Sequence, residues 1–356
     1  MSNSQNNAIH VAFGLSDESG QYSKYVATAI ASLLLHTQEH IIIHILCDNS
    51  ISKENIDKIN QTAEYYGAEI IYHKINIPEQ FKNFESIKYI SIGTLFRLFI
   101  PKVCDNIEKV VYLDADILVQ CDISTILQFD LNNRYAGVVQ DVFKTRRDYI
   151  DTKLYRKLGV NKDLYFNAGV MVFNCAFIRK DMDLVDQGLK LLKEMPFLPF
   201  ADQDVLNILF KGKVAQIDAA YNYQIDLMAP DFNLNSLNER AILHFSGYLK
   251  PWNCANIQVI RHYYAVMSYT AYINTVSDMN MVMSTISHDF HTRYDLKHTL
   301  MYVTERKNKI TSILCFLYLI LSGRFYNDTL RNLWLIRERI RLNYIYPGKI
   351  GVNHSN

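Results

Sequence analysis

The segment Lys109–Gln120, KVVYLDADILVQ, constrains this chain most. It reads as a buried strand, with Val110, Val111 and Leu113, that delivers two carboxylates at its end, Asp114 and Asp116. Residues two apart on an extended backbone point to the same side, so both acids face one spot. Burying two unpaired carboxylates beside apolar neighbours costs on the order of several kcal/mol. A divalent cation removes that cost, because it binds carboxylate oxygens and neutralises them. The alternative is a pair of solvated acids in an ordinary strand-to-loop turn. Other segments of the chain weigh against it.

Strand and helix patterns alternate through the first half. Ala8–Phe13 reads as a strand and Tyr25–His36 as a helix, while Ile41–Cys47 is an apolar run suited to a parallel strand covered on both faces. Ser52 is a candidate N-cap for a helix over Ser52–Tyr66, with Ile56, Ile59 and Ala63 at helical spacing. Glu69–His73 and Lys109–Leu113 read as further strands. This βαβαβ rhythm predicts an α/β fold with a doubly wound sheet, whose ligands bind beyond the carboxyl ends of its strands. Ala136–Gln140 and Phe166–Asn174 also read as strands, and Asp181–Glu194 and Asp202–Phe210 as helices.

The 356 residues suffice for one large domain with an appendage, and 49% hydrophobic against 21% charged residues excludes a disordered chain. Six scattered cysteines with no CxxC pair argue against a zinc ribbon or a disulfide framework and fit a reducing cytoplasm. The polar N-terminus, MSNSQNNAIH, does not read as a signal peptide. Charge is uneven although the net value is only +1. Residues 291–356 hold 11 Lys and Arg against 4 Asp and Glu, whereas the other 290 hold 26 against 32. A basic tail on an acidic body suggests an anionic partner such as a membrane surface, and no nucleic acid. The longest apolar run there, Ile310–Leu321, is too short to span a bilayer. Asn308–Arg341 instead reads as an interfacial segment or as a helical cap on the body. The expected division is a catalytic domain over 1–255 and a helical, basic and aromatic region over 256–356.

A second cluster is His244–Trp252, HFSGYLKPW. His244 is a candidate metal ligand, Gly247 permits close backbone approach to a ligand, and Lys250 suits a phosphate. Taken alone, a histidine is more often structural; an upstream DxD changes that balance. Glycine-rich phosphate loops of the GxGxxG type are missing.

With these residues the chain resembles the family 8 glycosyltransferases, retaining enzymes that include glycogenin and the bacterial lipopolysaccharide galactosyl- and glucosyltransferases. The resemblance runs over Ile9–Trp252 in five ordered motifs: SIGTLFRL with Arg97, YLDADILV, YFNAGVMVFN with Asn167 and Ala168, DQDVLN, and HFSGYLKPW. It implies a single Rossmann-like (GT-A type) domain with a mostly parallel twisted sheet. It implies Asp114, Asp116 and His244 around Mn²⁺, with Mg²⁺ as the alternative, and Asp114, Gly247 and Lys250 on the UDP of a UDP-sugar. Arg97, Asp141, Asn167, Ala168, Asp202 and Gln203 would line the hexose, with Tyr22 stacking on uracil and Asp17 meeting the base. Asp202 has a second reading, as the N-cap of the following helix.

The family position beneath the sugar's reacting carbon matches Gln203, whose amide is a poor nucleophile. That favours front-face attack with retention, leaving Asp202 as the fallback nucleophile. The expected activity is transfer of glucose or galactose to a lipopolysaccharide core on the cytoplasmic face of the inner membrane. A protein or capsule glycan is the alternative acceptor, and a non-catalytic UDP-sugar-binding scaffold the alternative class.

Overall fold

The structure, a computed structural model, describes residues 8–82, 91–143, 150–196, 198–225, 242–246, 250–252 and 257–273. Gly247 and the segment Asn308–Asn356, both singled out in the sequence, lie outside the described residues.

Strands β1 (Ile9–Leu15), β2 (Ile41–Cys47), β3 (Glu69–Lys74), β4 (Lys109–Leu113), β6 (Ala136–Gln140), β7 (Phe166–Asn174) and β8 (Val214–Gln216) form one sheet, in the order β3-β2-β1-β4-β7-β6-β8. β3, β2, β1 and β4 run parallel, as do β6 and β8; β7 is antiparallel to both of its neighbours. The sheet is therefore mostly parallel, as the βαβαβ rhythm requires. β2 is buried along its whole length, which is why its sequence does not alternate. The winding reverses between β1 and β4, and the crevice beyond their carboxyl ends is the expected ligand position.

A smaller sheet joins β5 (Ile117–Val119), β10 (Ile242–His244) and β9 (Tyr223–Gln224), in the order β5-β10-β9. Asp114 and Asp116 lie in the turn that carries the chain from β4 in the large sheet to β5 in the small one. The extended strand end expected for them is thus a turn between two sheets. The reason is that each aspartate continues a different ladder. The Asp114 N–H donates to Gly169 O at 2.8 Å, and the Phe245 N–H donates to Asp116 O at 2.9 Å.

Apolar clusters cover both faces of the large sheet. On one face Val26, Ile30 and Leu33 of the Ser23–His36 helix and Ile59 of the Lys53–Tyr65 helix pack with Val11, Ile43 and Val111. On the other, Leu95 and Leu98 of a 3₁₀ helix over Ile92–Phe99 and Val205 and Leu206 of the Ala201–Leu209 helix pack with Val110, Tyr112 and Met171. Ser52 caps the second helix as expected, its hydroxyl accepting from the Asn55 N–H at 3.2 Å. The helix expected over Asp181–Glu194 is two helices, Cys175–Asp181 and Leu184–Glu194. Met182 between them is extended, and the Asp183 side chain caps the second through the Asp186 N–H at 3.0 Å. An aspartate that starts its own helix cannot also sit inside a longer one.

One close approach ties the site to the sheet. A Cβ on Gly14 of β1 would stand 2.6 Å from Gly93 O at the start of the 3₁₀ helix. Gly14→Ala should push that helix outward and cost about 1–3 kcal/mol in chemical denaturation. Unchanged stability would refute the close packing.

Candidate active site

The two aspartates of the β4–β5 turn differ in surroundings. Asp114 Oδ1 accepts from Arg97 Nη2 at 2.8 Å and from the Tyr112 hydroxyl at 2.7 Å, leaving Oδ2 for the site. Asp116 is 7% exposed and its Oδ2 contacts Lys250 Nζ, which also donates to Phe245 O at 2.7 Å. Burial alone would raise the Asp116 pKa, but Lys250 and His244 outweigh it and hold the carboxyl well below the usual range.

β10 brings in His244, because its register sets His244 opposite Ile117, one residue beyond Asp116. His244 Nε2 stands 3.4 Å from Asp116 Oδ1 and 3.9 Å from Asp114 Oδ2. Asp114, Asp116 and His244 each offer one ligand atom, all within 4.8 Å of one another. The role of the other ring nitrogen follows from its neighbours. Asn167 Oδ1 accepts from the Gly169 N–H and from Asn222 Nδ2, each at 2.9 Å. That fixes the Asn222 amide, so its Oδ1 faces His244 Nδ1 at 2.8 Å and must accept. His244 therefore donates from Nδ1 to Asn222, which leaves Nε2 as the ring atom facing the two carboxylate oxygens. Two carboxylates and an imidazole nitrogen converging on one spot fit a divalent cation with mixed oxygen and nitrogen ligands.

Gly169 makes room for this group. A Cβ there would stand 2.2 Å from His244 Cε1 and 2.7 Å from Asp114 Oδ2. The strand around it is irregular too: pairing between β6 and β7 jumps between Val138 and Val139, from Met171 to Asn167. The bulge frees Ala168–Val170 from β6 and turns that stretch toward the aspartates.

Arg97 is the second centre. Only 3% exposed, it pairs through Nε with Asp202 Oδ2 at 3.0 Å and through Nη2 with Asp114, donates from Nη1 to Ala168 O, and lies 4.4 Å over the Tyr112 ring. Burial would lower its pKa; Asp114 and Asp202 outweigh that and raise it. Asp202 does not cap its helix: Phe200 holds the N-cap position, and Asp202 sits in the first turn with its carboxylate on Arg97. Burial lifts the Asp202 pKa to about 6 despite Arg97. Ala201 just before it has φ 39°, and Ser91 before the 3₁₀ helix has φ 70°, so both elements that deliver this pair begin in a disfavoured backbone region.

The remaining sugar-side residues form one network. Gln203 Oε1 accepts from the Ala168 N–H at 3.1 Å, and its Nε2 donates to Asp141 Oδ2 and to the Tyr165 hydroxyl, both at 3.2 Å. Asp141 Oδ2 also meets Asn167 Nδ2 at 3.5 Å. Arg97, Asp141, Asn167, Ala168, Asp202 and Gln203 thus converge as the motifs implied, though largely by binding one another.

Asp17 is different. Its carboxylate accepts from the Tyr22 N–H at 2.8 Å, the Ser23 N–H at 2.9 Å, the Ser23 hydroxyl and Asn55 Nδ2. At 2% exposure it holds the start of the Ser23–His36 helix and has no free oxygen facing outward for a base. Tyr22 beside it is 37% exposed and keeps its ring available. Trp252 stacks on Tyr25 with centroids 3.6 Å apart, which anchors the segment that carries Lys250. Tyr112, Gly169, Asn222 and Trp252 support the site, and sequence reasoning gave none of them a role. Asn222 had no sequence signal, whereas the other three sit inside or beside motifs already singled out.

If Asp114, Asp116 and His244 hold a divalent cation, Gly169→Ala should weaken its binding by at least about tenfold in calorimetry, since it displaces two of those side chains; unchanged affinity would remove the candidate site. Asp204, fully buried, accepts from the Tyr165 hydroxyl at 2.8 Å and the Phe200 N–H at 2.9 Å, and burial lifts its pKa to about 7. A carboxyl raised on folding stabilises fully below its unfolded value and less as pH rises through the folded one. Its contribution should fall by up to about 4 kcal/mol between pH 4 and 7. Asp204→Asn should flatten the urea stability curve in that window.

Three comparisons bear on this geometry. Residues 10–255 match the family model described as Glycosyl transferase family 8. A Haemophilus influenzae protein is 30% identical over 240 residues, 65% of this chain and 70% of its own length. The Lipopolysaccharide 1,2-glucosyltransferase of Escherichia coli (strain K12) is 26% identical over 271 residues, 72% of this chain and 77% of its own. A crystal structure of the galactosyltransferase LgtC in complex with donor and acceptor sugar analogs superposes with TM-score 0.62 at 26% identity, over 75% of this chain and 97% of that one. By its fold, its convergent acids and this family match over most of its length, the chain belongs to glycosyl transferase family 8.

Proposed function

We propose that the chain is a metal-dependent, retaining hexosyltransferase that moves glucose or galactose from a UDP-sugar to an oligosaccharide of the lipopolysaccharide-core kind. The observation that carries this reading is the convergence of His244 Nε2 with Asp114 and Asp116, beside the hydrogen-bonding network of Asn167, Gln203 and Asp141. A cation held by Asp114, Asp116 and His244 supplies Lewis-acid neutralisation of a diphosphate. Kinship with a lipopolysaccharide glucosyltransferase and with LgtC supports the substrate classes. Among the described residues no helix is long and apolar enough to cross a membrane. A lipid-linked acceptor would then be met by peripheral association at the inner face of the membrane, through the basic region over 256–356.

Lys250 lies next to the metal ligands and adds positive charge where the diphosphate leaves. The bond from C1 to the phosphate oxygen breaks, its electron pair stays with UDP, and the acceptor oxygen bonds C1 on the same face. The acceptor's proton passes to the departing phosphate oxygen. Gln203 suits this front-face course, because its amide oxygen is occupied by the Ala168 N–H and its nitrogen by Asp141 and Tyr165. Asp202 is the other candidate for covalent catalysis, and its pairing with Arg97 draws its charge away from the sugar. A trapped glycosyl–Asp202 adduct would replace the front-face course with double displacement.

The test is a donor screen on the full chain with UDP-glucose, UDP-galactose and UDP-N-acetylglucosamine, with Mn²⁺ or with EDTA. Mn²⁺-dependent UDP release from one hexose, increased by truncated lipopolysaccharide, is the expected result. Asp116→Asn should lower that release by at least about a hundredfold with the fold intact. UDP binding with no transfer to a lipopolysaccharide, capsule or protein acceptor would point to a scaffold protein instead.

A further inference from the structure

Three histidines cross the face of the large sheet that packs against the 3₁₀ helix, away from any role in the transfer reaction. His10 lies on β1, His44 on β2 and His73 on β3. His10 Nδ1 stands 3.0 Å from His44 Nε2, and His44 Nδ1 stands 2.9 Å from His73 Nε2. His44 is 2% exposed, in a strand whose other residues are apolar. Cys104, 1% exposed, arrives from the other layer just past the Ile100–Val103 helix. One ligand atom from each of His44, His73 and Cys104 lies within 4.8 Å of the other two.

We propose that His44, His73 and Cys104 form a second metal site, built for a borderline-soft cation and best suited to Zn²⁺. Two imidazoles and a thiolate are a zinc donor set, whereas the two carboxylates and one imidazole around Asp114 suit a harder ion. Zinc stands at roughly 2.0–2.1 Å from nitrogen and 2.3 Å from sulfur, so tetrahedral ligands are roughly 3.3–3.6 Å apart. The two ring nitrogens, 2.9 Å apart, would open by a few tenths of an ångström, and the thiol, within 4.8 Å of both, would close by up to about 1.5 Å. Outer partners are in place as well. With the His44 ring proton on Nε2 and donated to His10 Nδ1, His44 Nδ1 presents its lone pair to the ion, the arrangement usual for a ligating histidine. The backbone carrying Cys104 is held by Arg179, which donates to Pro101 O at 3.1 Å, Cys104 O at 2.8 Å and Ile107 O at 2.9 Å.

The protons balance without a co-reactant. Zinc binding releases the Cys104 thiol proton to solvent, and the His73 ring proton moves from Nε2 to Nδ1. The site thus binds an ion with loss of one proton. It would staple β2 and β3 to the segment that follows the Arg97 helix.

The experiment is cobalt and zinc titration of the chelator-treated full chain, with Asp116→Asn as the background that disables the other site. Co²⁺ should produce a thiolate-to-cobalt charge-transfer band, displaced by Zn²⁺, in both the wild type and Asp116→Asn. Cys104→Ser should abolish the band, and His73→Gln should weaken zinc by more than about 100-fold, beyond the loss usual for a mere supporting partner. Circular dichroism and melting of each variant separate lost binding from lost fold. No charge-transfer band in the folded wild type would overturn the proposal, as would a band that survives Cys104→Ser or is unaffected by His73→Gln.

Discussion

The buried guanidinium of Arg97 is the interaction on which the site's geometry depends. It lies between Asp114 and Asp202, holds the Ala168 carbonyl and covers Tyr112, so one side chain ties four separate segments together. A cation at 3% exposure is tolerable only because two carboxylates and the Thr94 and Ala168 carbonyls replace its water. Breaking such a buried set by removing one partner costs about 3–5 kcal/mol, since a charge is left without compensation. The same pairing orients Asp114, whose Oδ1 is spoken for and whose Oδ2 is left to the metal group. Fold and chemistry meet at this residue.

Two sheets then complete what one could not. β4 brings Asp114 to the end of the large sheet, and the chain crosses to β5 within three residues, taking Asp116 onto the small sheet. β10 pairs there antiparallel and sets His244 beside Asp116. The closeness is possible because position 169 has no side chain and because the β6–β7 bulge moves that backbone inward. Asn222 accepts from the imidazole Nδ1 and orients the ring from behind. Each of these supports is buried and hydrogen-bonded, which is what holds a charged site in one geometry.

Much of the frame was legible in the chain. β2, β4, β6 and β7 fall where their apolar runs lie, because a strand buried on both faces must be apolar over its whole length. Ser52 marks a helix start for the reason its chemistry predicts. Asp17 read as a ligand-binding acid because a carboxylate in a loop after the first strand has the right place; its backbone donors, Tyr22 and Ser23, give it a capping duty instead. The split at Met182 was hidden because Asp183 is as compatible with a helix interior facing solvent as with a cap.

The chain by itself determined the alternation of elements, the paired acids and the candidate cation site that they mark. These follow from local periodicity and from the cost of burying charge, both readable over a few residues. Only the tertiary structure decided that Asn222, Gly169 and Tyr112 serve that site, and that Arg97 spends its charge on Asp114 and Asp202. It alone gathers His44, His73 and Cys104, whose spacing along the chain matches no metal motif. The physical reason is that strand order, not sequence separation, sets which side chains become neighbours across a sheet, and that order is fixed by packing of the whole domain.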